Sequence, residues 1–320
     1  MGQEIGGYFE LQVDSKNNYL YPNLFHLNSG RNCLEYILTK RMYSKVYLPY
    51  FTCDAILQPI LKLGLEYEFF DVNDKLEAIF DYSRLQLNEV VILTNYFGLK
   101  DKYIQSICEK IKNVIVDNAQ ALFAKPIDGI DTFYSPRKFV GVADGGILST
   151  ELDLNDNFEQ STSYNRMFHL LKRIDLSAQE AYIDFQRAEK IVGTETIMKM
   201  SNLTKRILYN IDYKSIEIRR IENFNFLHKH LKSSNQLELI NCSEEVPLIY
   251  PYKVKESVII RDILLKNKIF CAKYWPNVLE WCNDSQNSYF LTDGILALPI
   301  DQRYNIENML KILKIITKWI

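Results

Sequence analysis

The chain has six cysteines, and none of them form the CxxC pairs that metal sites and dithiol redox centres use. Cys33, Cys53, Cys108, Cys242, Cys271 and Cys282 are scattered, which reads as reduced, mostly buried thiols of a cytoplasmic protein. The four histidines, His26, His169, His228 and His230, make no ligand pattern, so no metal site is expected. Neither sign of charge is in excess: 38 Lys and Arg stand against 40 Asp and Glu, a formal net charge of -2. That balance gives no electrostatic reason to expect nucleic acid or an anionic membrane as partner. Apolar runs long enough to span a bilayer are missing, as is the basic-then-apolar start of a signal peptide. Walker and GxGxxG phosphate loops and the GxSxG elbow are missing too. No Pro/Gly/Ser-rich linker, internal repeat or low-complexity tract divides the chain.

What is present is enough apolar material to fold: hydrophobic residues make up 47% of 320. The first half alternates strands and helices. Strands are expected at Lys45–Pro49, Tyr67–Val72, Val90–Tyr96, Asn113–Asp117, Asp131–Tyr134 and Gly146–Thr150, with helices at Cys53–Leu63 and Asp101–Lys112. This rhythm implies α/β architecture with a mostly parallel sheet covered by helices. Tyr164 to Leu208 is helical and charged, suited to a helix pair that crosses the large domain or packs on a second subunit. Beyond it the pattern mixes Val246–Tyr250, Val258–Lys266, Ile295–Pro299 and Ile306–Trp319, as in a smaller α+β unit. Residues 1–221 are therefore read as a large domain and 222–320 as a small one. The Met309–Ile320 stretch, broken by Lys311, Lys314 and Lys318, reads as an amphipathic helix docked on the body.

The residues suited to chemistry stand where strands end, the edge at which open α/β sheets collect ligands. Asn28-Ser29-Gly30-Arg31-Asn32 opens an apolar-periodic helix, whose first N–H groups and dipole favour a phosphate; an ordinary N-cap is the plainer reading. Cys53 follows one strand, and Asn95 and Tyr96 end another and could line the same crevice. Val114-Ile115-Val116-Asp117 drives an acid into an apolar strand end, which is costly unless the acid is paired. Gln120 follows it. Downstream, Tyr134-Ser135-Pro136-Arg137-Lys138 leads through Phe139-Val140-Gly141-Val142-Ala143 to Asp144-Gly145-Gly146. An acid ending a strand, then a lysine before a Gly-Gly turn, suits pyridoxal phosphate (PLP). The lysine can hold the cofactor as a Schiff base, and the acid can keep the ring nitrogen protonated. Such a lysine needs a lowered pKa, which burial and a neighbouring cation such as Arg137 would supply. The plainer readings are a turn-capping aspartate and a surface lysine.

Taken in order, Ser29-Gly30-Arg31-Asn32-Cys33-Leu34, Pro49-Tyr50-Phe51-Thr52-Cys53, Asp117-Asn118-Ala119-Gln120 and Lys138 through Gly146 resemble the DegT/StrS family of sugar aminotransferases. Gly6-Gly7-Tyr8-Phe9-Glu10-Leu11 and Leu298-Pro299 resemble family members as well. The resemblance implies a fold-type-I PLP-dependent transferase: a seven-stranded-type, mostly parallel sheet in the large domain and a smaller α+β C-terminal domain. It implies Lys138 as Schiff-base lysine and acid/base, Asp117 on the pyridine nitrogen and Gln120 on the ring-hydroxyl side. Gly30, Arg31 and Ser135 would bind phosphate, with Asn165 reaching the site of a second subunit. The sequence departs from the family at Arg31, where a small hydroxyl residue is usual, at Cys53, where an aromatic often stacks, at Asp144, which replaces Glu, and in a shortened Asp117-to-Lys138 segment. Tyr96 or Phe97 is the expected substitute for the stacking ring. The implied activity is transfer of an amino group from an amino acid, glutamate being the expected donor, to a nucleotide-linked keto-sugar, in a homodimer. The alternatives are a sugar dehydratase or lyase on the same fold, disfavoured by the retained lysine, and a catalytically silent or regulatory PLP-fold protein.

Overall fold

A computed structural model describes residues 5–13, 18–153, 156–239 and 245–319. Cys242 and the first residues of the N-terminal reading lie outside them. The chain builds an eight-stranded sheet in the order β1-β8-β7-β6-β5-β2-β3-β4. Its strands are β1 (Phe25–Leu27), β2 (Lys45–Pro49), β3 (Glu66–Val72), β4 (Ala78–Ile79), β5 (Glu89–Thr94), β6 (Val114–Asn118), β7 (Asp131–Tyr134) and β8 (Gly146–Ser149). The five central strands, β3, β2, β5, β6 and β7, are mutually parallel, and β8, β1 and β4 pair antiparallel at the two sides. The count exceeds the expected seven because the two-residue β4 folds back onto β3 at the edge.

Helices cover both faces, as a parallel sheet requires. On one, α1 (Gly30–Arg41) and α2 (Asp54–Lys62) pack over Val90, Ile92 and Ile115. On the other, α3 (Asp101–Cys108) packs over Val91, Leu93, Val114 and Val116. The side chains of β5 and β6 thus alternate between two buried layers, which is why both strands read as unbroken apolar runs.

After β8 come α4 (Phe168–Asp175), α5 (Ala178–Thr194), α6 (Asn202–Tyr209) and α7 (Tyr213–Leu231). Ser177 and Glu180 form a reciprocal capping box that starts α5 directly after α4, so the expected helix pair is a tight hairpin. The 221/222 boundary falls inside α7. The last part holds β9 (Tyr250–Lys253), α8 (Ser257–Lys266), α9 (Val278–Trp281), α10 (Asn287–Gly294), β10 (Ile295–Leu298) and α11 (Ile306–Ile316), with β9 and β10 paired antiparallel. The strand expected at Val246–Tyr250 starts only at Tyr250. Its earlier backbone is claimed elsewhere: Arg220 donates to the carbonyls of Pro247 and Leu248, and the Leu248 N–H donates to Phe97.

A buried carboxyl joins residue 245 to the start of α3. Glu245 Oε1 accepts the Asp101 N–H at 3.1 Å, and its Oε2 is buried without a partner. Burial, then the nearby Asp101, pushes Glu245 from its ordinary 4.5 to about 7, and burial raises Asp101 as well. The folded state therefore holds a proton that the unfolded chain has released. Stability should fall by about 1–3 kcal/mol as pH rises from 4.5 to 7. Glu245→Gln should flatten that slope in urea titrations repeated across the interval and should stabilise the protein at pH 8.

Candidate active site

The parallel strands all point their carboxyl ends to one edge, and most of the candidate residues gather there. Cys53 follows β2, Asn95 and Tyr96 follow β5, Asp117 and Gln120 lie at the end of β6, and Ser135 and Lys138 follow β7. Asp117 and Thr94 are directly paired across β6 and β5, so their side chains share the α1/α2 face. Asp117 is 5% exposed, and its Oδ1 accepts the Ala119 N–H at 2.8 Å. Burial pushes its carboxyl up, while the positive charge of Lys138 and the Ala119 N–H pull it back down. The acid and the lysine are thus brought within electrostatic reach. Lys138 ends a 3₁₀ turn, Pro136–Lys138, and its side chain is exposed at this edge rather than buried as expected. Its charge also acts on Cys53, a half-buried thiol raised by burial and lowered by the lysine. Cys53 is the N-cap residue of α2, and its thiol donates to Asp54 at 3.3 Å.

The phosphate end is built by α1. Ser29 caps it, accepting the Asn32 N–H at 3.1 Å, and its O–H remains free to donate. The Gly30 and Arg31 N–H groups belong to the first turn, where the helix supplies no acceptor. Gly30 faces the lysine turn: a Cβ there would meet Ser135 Cβ at 3.8 Å. Ser135 leaves its own turn uncapped, so its hydroxyl has no local duty. Gly146 fixes how close β8 and α1 can come, because a Cβ on it would lie 2.3 Å from the Ser29 carbonyl. Arg31 reaches sideways. It donates to the Val192 carbonyl near the end of α5 at 3.2 Å, and its Nε is buried without a partner. Burial lowers its pKa, with Cys53 and Asp54 opposing. Arg137 turns outward to pair with Glu189.

Gln120 is 1% exposed; its Oε1 accepts the Phe97 N–H at 3.0 Å and its Nε2 is buried without a partner. The hydroxyls of Thr94 and Thr52 are likewise buried and unpartnered.

Asn95 and Tyr96 are placed differently from expectation. Asn95 follows the α3 face and donates to Asp101 at 2.6 Å and Asn118 at 3.0 Å, because it continues the Val91-Leu93 side of β5. Tyr96 is in the core, with its hydroxyl donated to the Phe51 carbonyl at 2.7 Å and its ring against Phe51 and Trp275. Phe97 is fully buried as well. Asn165 is exposed in the 3₁₀ turn Tyr164–Arg166.

Asp144 is fully buried and holds structure rather than chemistry. It accepts the Ser201 N–H at 3.0 Å and the Ser201 hydroxyl at 2.8 Å, takes a further bond from Thr204, and stands 3.8 Å from the Arg166 guanidinium. Arg166 also pairs with Glu195 and donates to Ser161 and Thr162.

A brace behind the lysine has no local sequence signal. Gln302 donates to the Phe139 carbonyl at 2.7 Å and accepts from Arg220 Nε at 3.1 Å. The buried Arg220 guanidinium lies 4.7 Å over the Phe139 ring, and burial lowers its pKa to about 10. Residues far along the chain thereby hold the backbone just past Lys138. Among the described residues no cluster of potential metal ligands occurs, and no helix is long and apolar enough to cross a membrane.

No protein-family model matches the chain, and no curated protein matches it. Solved structures do. The sugar aminotransferase CalS13 from Micromonospora echinospora superposes with a TM-score of 0.66 at 15% identity, covering 93% of this chain and 88% of that one. A DegT DnrJ EryC1 StrS aminotransferase from Brucella abortus gives 0.62 at 17%, covering 92% and 85%. NtdA from Bacillus subtilis, solved with bound PMP, gives 0.62 at 15%, covering 91% and 73%. These likenesses establish the fold: the chain has the α/β architecture of those aminotransferases.

Proposed function

We propose that the chain is a PLP-dependent aminotransferase that moves an amino group from glutamate to a keto-sugar carried on a nucleotide. The observation that carries the reading is the placement of Lys138 within electrostatic reach of Asp117, a buried carboxyl whose one hydrogen bond among the described residues is a backbone N–H. A buried carboxylate is stable only with a partner, and a ring N–H⁺ is a suitable one. The unpartnered Gln120 Nε2 and Thr94 hydroxyl offer further polar contacts at the same strand ends. Lys138 would hold the cofactor and carry the proton at the substrate carbon. Asp117 would fix the charge of the ring nitrogen, and Gly30, Arg31 and Ser135 would take the phosphate. Bound PLP supplies the electron sink that lowers the cost of removing a proton next to nitrogen.

A homodimer fits the α4–α5 hairpin, which exposes Phe168, Leu171, Ile174 and Ile183. An apolar face of that kind favours a second copy, and Asn165 stands in the turn just before it. Scattered reduced thiols suit the cytoplasm.

Protein loaded with PLP and then titrated with glutamate should lose the visible cofactor band, gain that of the amine form and release one 2-oxoglutarate per site. A band that glutamate leaves unchanged removes glutamate as donor. Protein that keeps no cofactor through dialysis removes the aminotransferase reading in favour of a silent PLP-fold protein.

A further inference from the structure

A cleft lies away from the lysine edge. It runs between the α4–α5 turn, the segment after α8, the loop before α11 and α11 itself, with a volume of about 1030 Å³. Its cations are Arg173, Lys268, Arg303, Lys311, Lys314 and Lys318, and no acidic side chain lines it. Only Arg303 is neutralised, by a two-pronged pair with Asp301 at 2.7 and 2.8 Å. Among the described residues the other cations have no ion-pair partner.

That concentration stands out in a chain whose formal net charge is -2. Lys311, Lys314 and Lys318 repeat on one face of a helix and its end, where like charges repel. Among the described residues no ion pair offsets this repulsion, and a bound anion would. The walls are not merely basic. Tyr182 and Phe270 are 55% and 58% exposed, from different elements, and Tyr304, Ile312 and Ile315 complete an apolar floor. Exposed aromatics beside unpaired cations suit a ligand with a planar ring at one end and concentrated negative charge at the other. Small-molecule sites occupy about 300–1,000 Å³, so the cleft has room for such a molecule whole.

We propose that this cleft is a binding site for a phosphate-bearing heteroaromatic, with the chemistry of a nucleoside diphosphate. The phosphates would lie along Lys311, Lys314 and Lys268, and the ring against Tyr182 and Phe270. The cleft shares no lining residue with the lysine crevice, and the site does not rest on the cofactor reading.

Calorimetric titration of the purified protein with uridine and adenosine diphosphates, and with inorganic pyrophosphate, tests it. At least one nucleoside diphosphate should bind saturably. Lys311→Glu/Lys314→Glu should weaken binding by about tenfold or more, and added salt should weaken it too. Tyr182→Ala should weaken the nucleotide several-fold and leave pyrophosphate unchanged. Both lysines are exposed, and Lys311→Gln/Lys314→Gln, expected to weaken binding less, serves if charge reversal disturbs folding. The proposal is overturned by absence of saturable binding, by affinity indifferent to the lysine pair, or by pyrophosphate binding as tightly as the nucleotide. Binding lost in Arg31→Ala but kept in the lysine variant would also overturn it, because the ligand would then sit at α1. None of these outcomes bears on whether Lys138 holds PLP, which the glutamate titration reads separately.

Discussion

Lys138→Ala should lower amino transfer by about 10³-fold or more while leaving the protein folded. General acid/base catalysis alone contributes about 10²–10⁴-fold, and this variant also removes the amine proposed to hold the cofactor. The residue is exposed and forms no part of the hydrophobic clusters, so its truncation costs the fold little. Folding is checked by the urea midpoint, and the chemistry by single-turnover absorbance in the presence of glutamate. The visible band of protein-held cofactor should disappear, while free PLP added in excess still binds through Asp117, Gly30 and Ser135. Wild-type absorbance and unchanged turnover in the variant would end the assignment. A second reading comes from Asp117, which burial raises and Lys138 lowers. In the unloaded protein the variant should move the Asp117 carboxyl to higher pKa, a shift visible by NMR without any cofactor.

Asp144→Ala should have the opposite profile, a large loss of stability with chemistry intact per folded molecule. Asp144 is fully buried, accepts from Ser201 and Thr204 at the start of α6, and faces the buried Arg166. Breaking a buried pair by removing one partner costs about 3–5 kcal/mol. Glu195 remains to neutralise Arg166, so a value of about 3 kcal/mol is expected, with a melting temperature lower by about 4–5 °C. Asp144→Asn keeps the acceptor atom and should lose less than half as much. If Asp144→Ala instead abolished turnover in fully folded protein, the acid would belong to the chemistry and the structural assignment would fail.

Where local pattern decides structure, the sequence is legible. The strands at Lys45–Pro49 and Asp131–Tyr134 lie where turn residues bracket apolar runs. Asp117 and Lys138 come to the same edge because one ends and the other follows a parallel strand, and parallel strands bring all their carboxyl ends to one side. Asn95 and Tyr96 are less legible for a related reason. With β5 buried on both faces, no polar alternation marks which residues face α1 and which face α3, so Asn95 goes with Leu93 and only Thr94 joins Asp117. The missing strand at Val246 has a cause that no local window contains, since Arg220 on α7 takes its carbonyls. Gln302 and Arg220 at the lysine turn are in the same position. Each is an ordinary polar residue until folding places it beside Phe139.

The alternation along β6 has a consequence for how this chain can have changed length. Asp117 and Asn118 are neighbours that serve opposite sides of the sheet. Deleting a single residue from the strand would carry the amide to the acid's side and turn the acid toward α3. Residues 125–129 of the connection between β6 and β7 are under no such parity rule, because they are exposed or half-buried and return the chain to Asp131. Shortening is therefore better tolerated there than within β6, where one deleted residue inverts the side chains that follow.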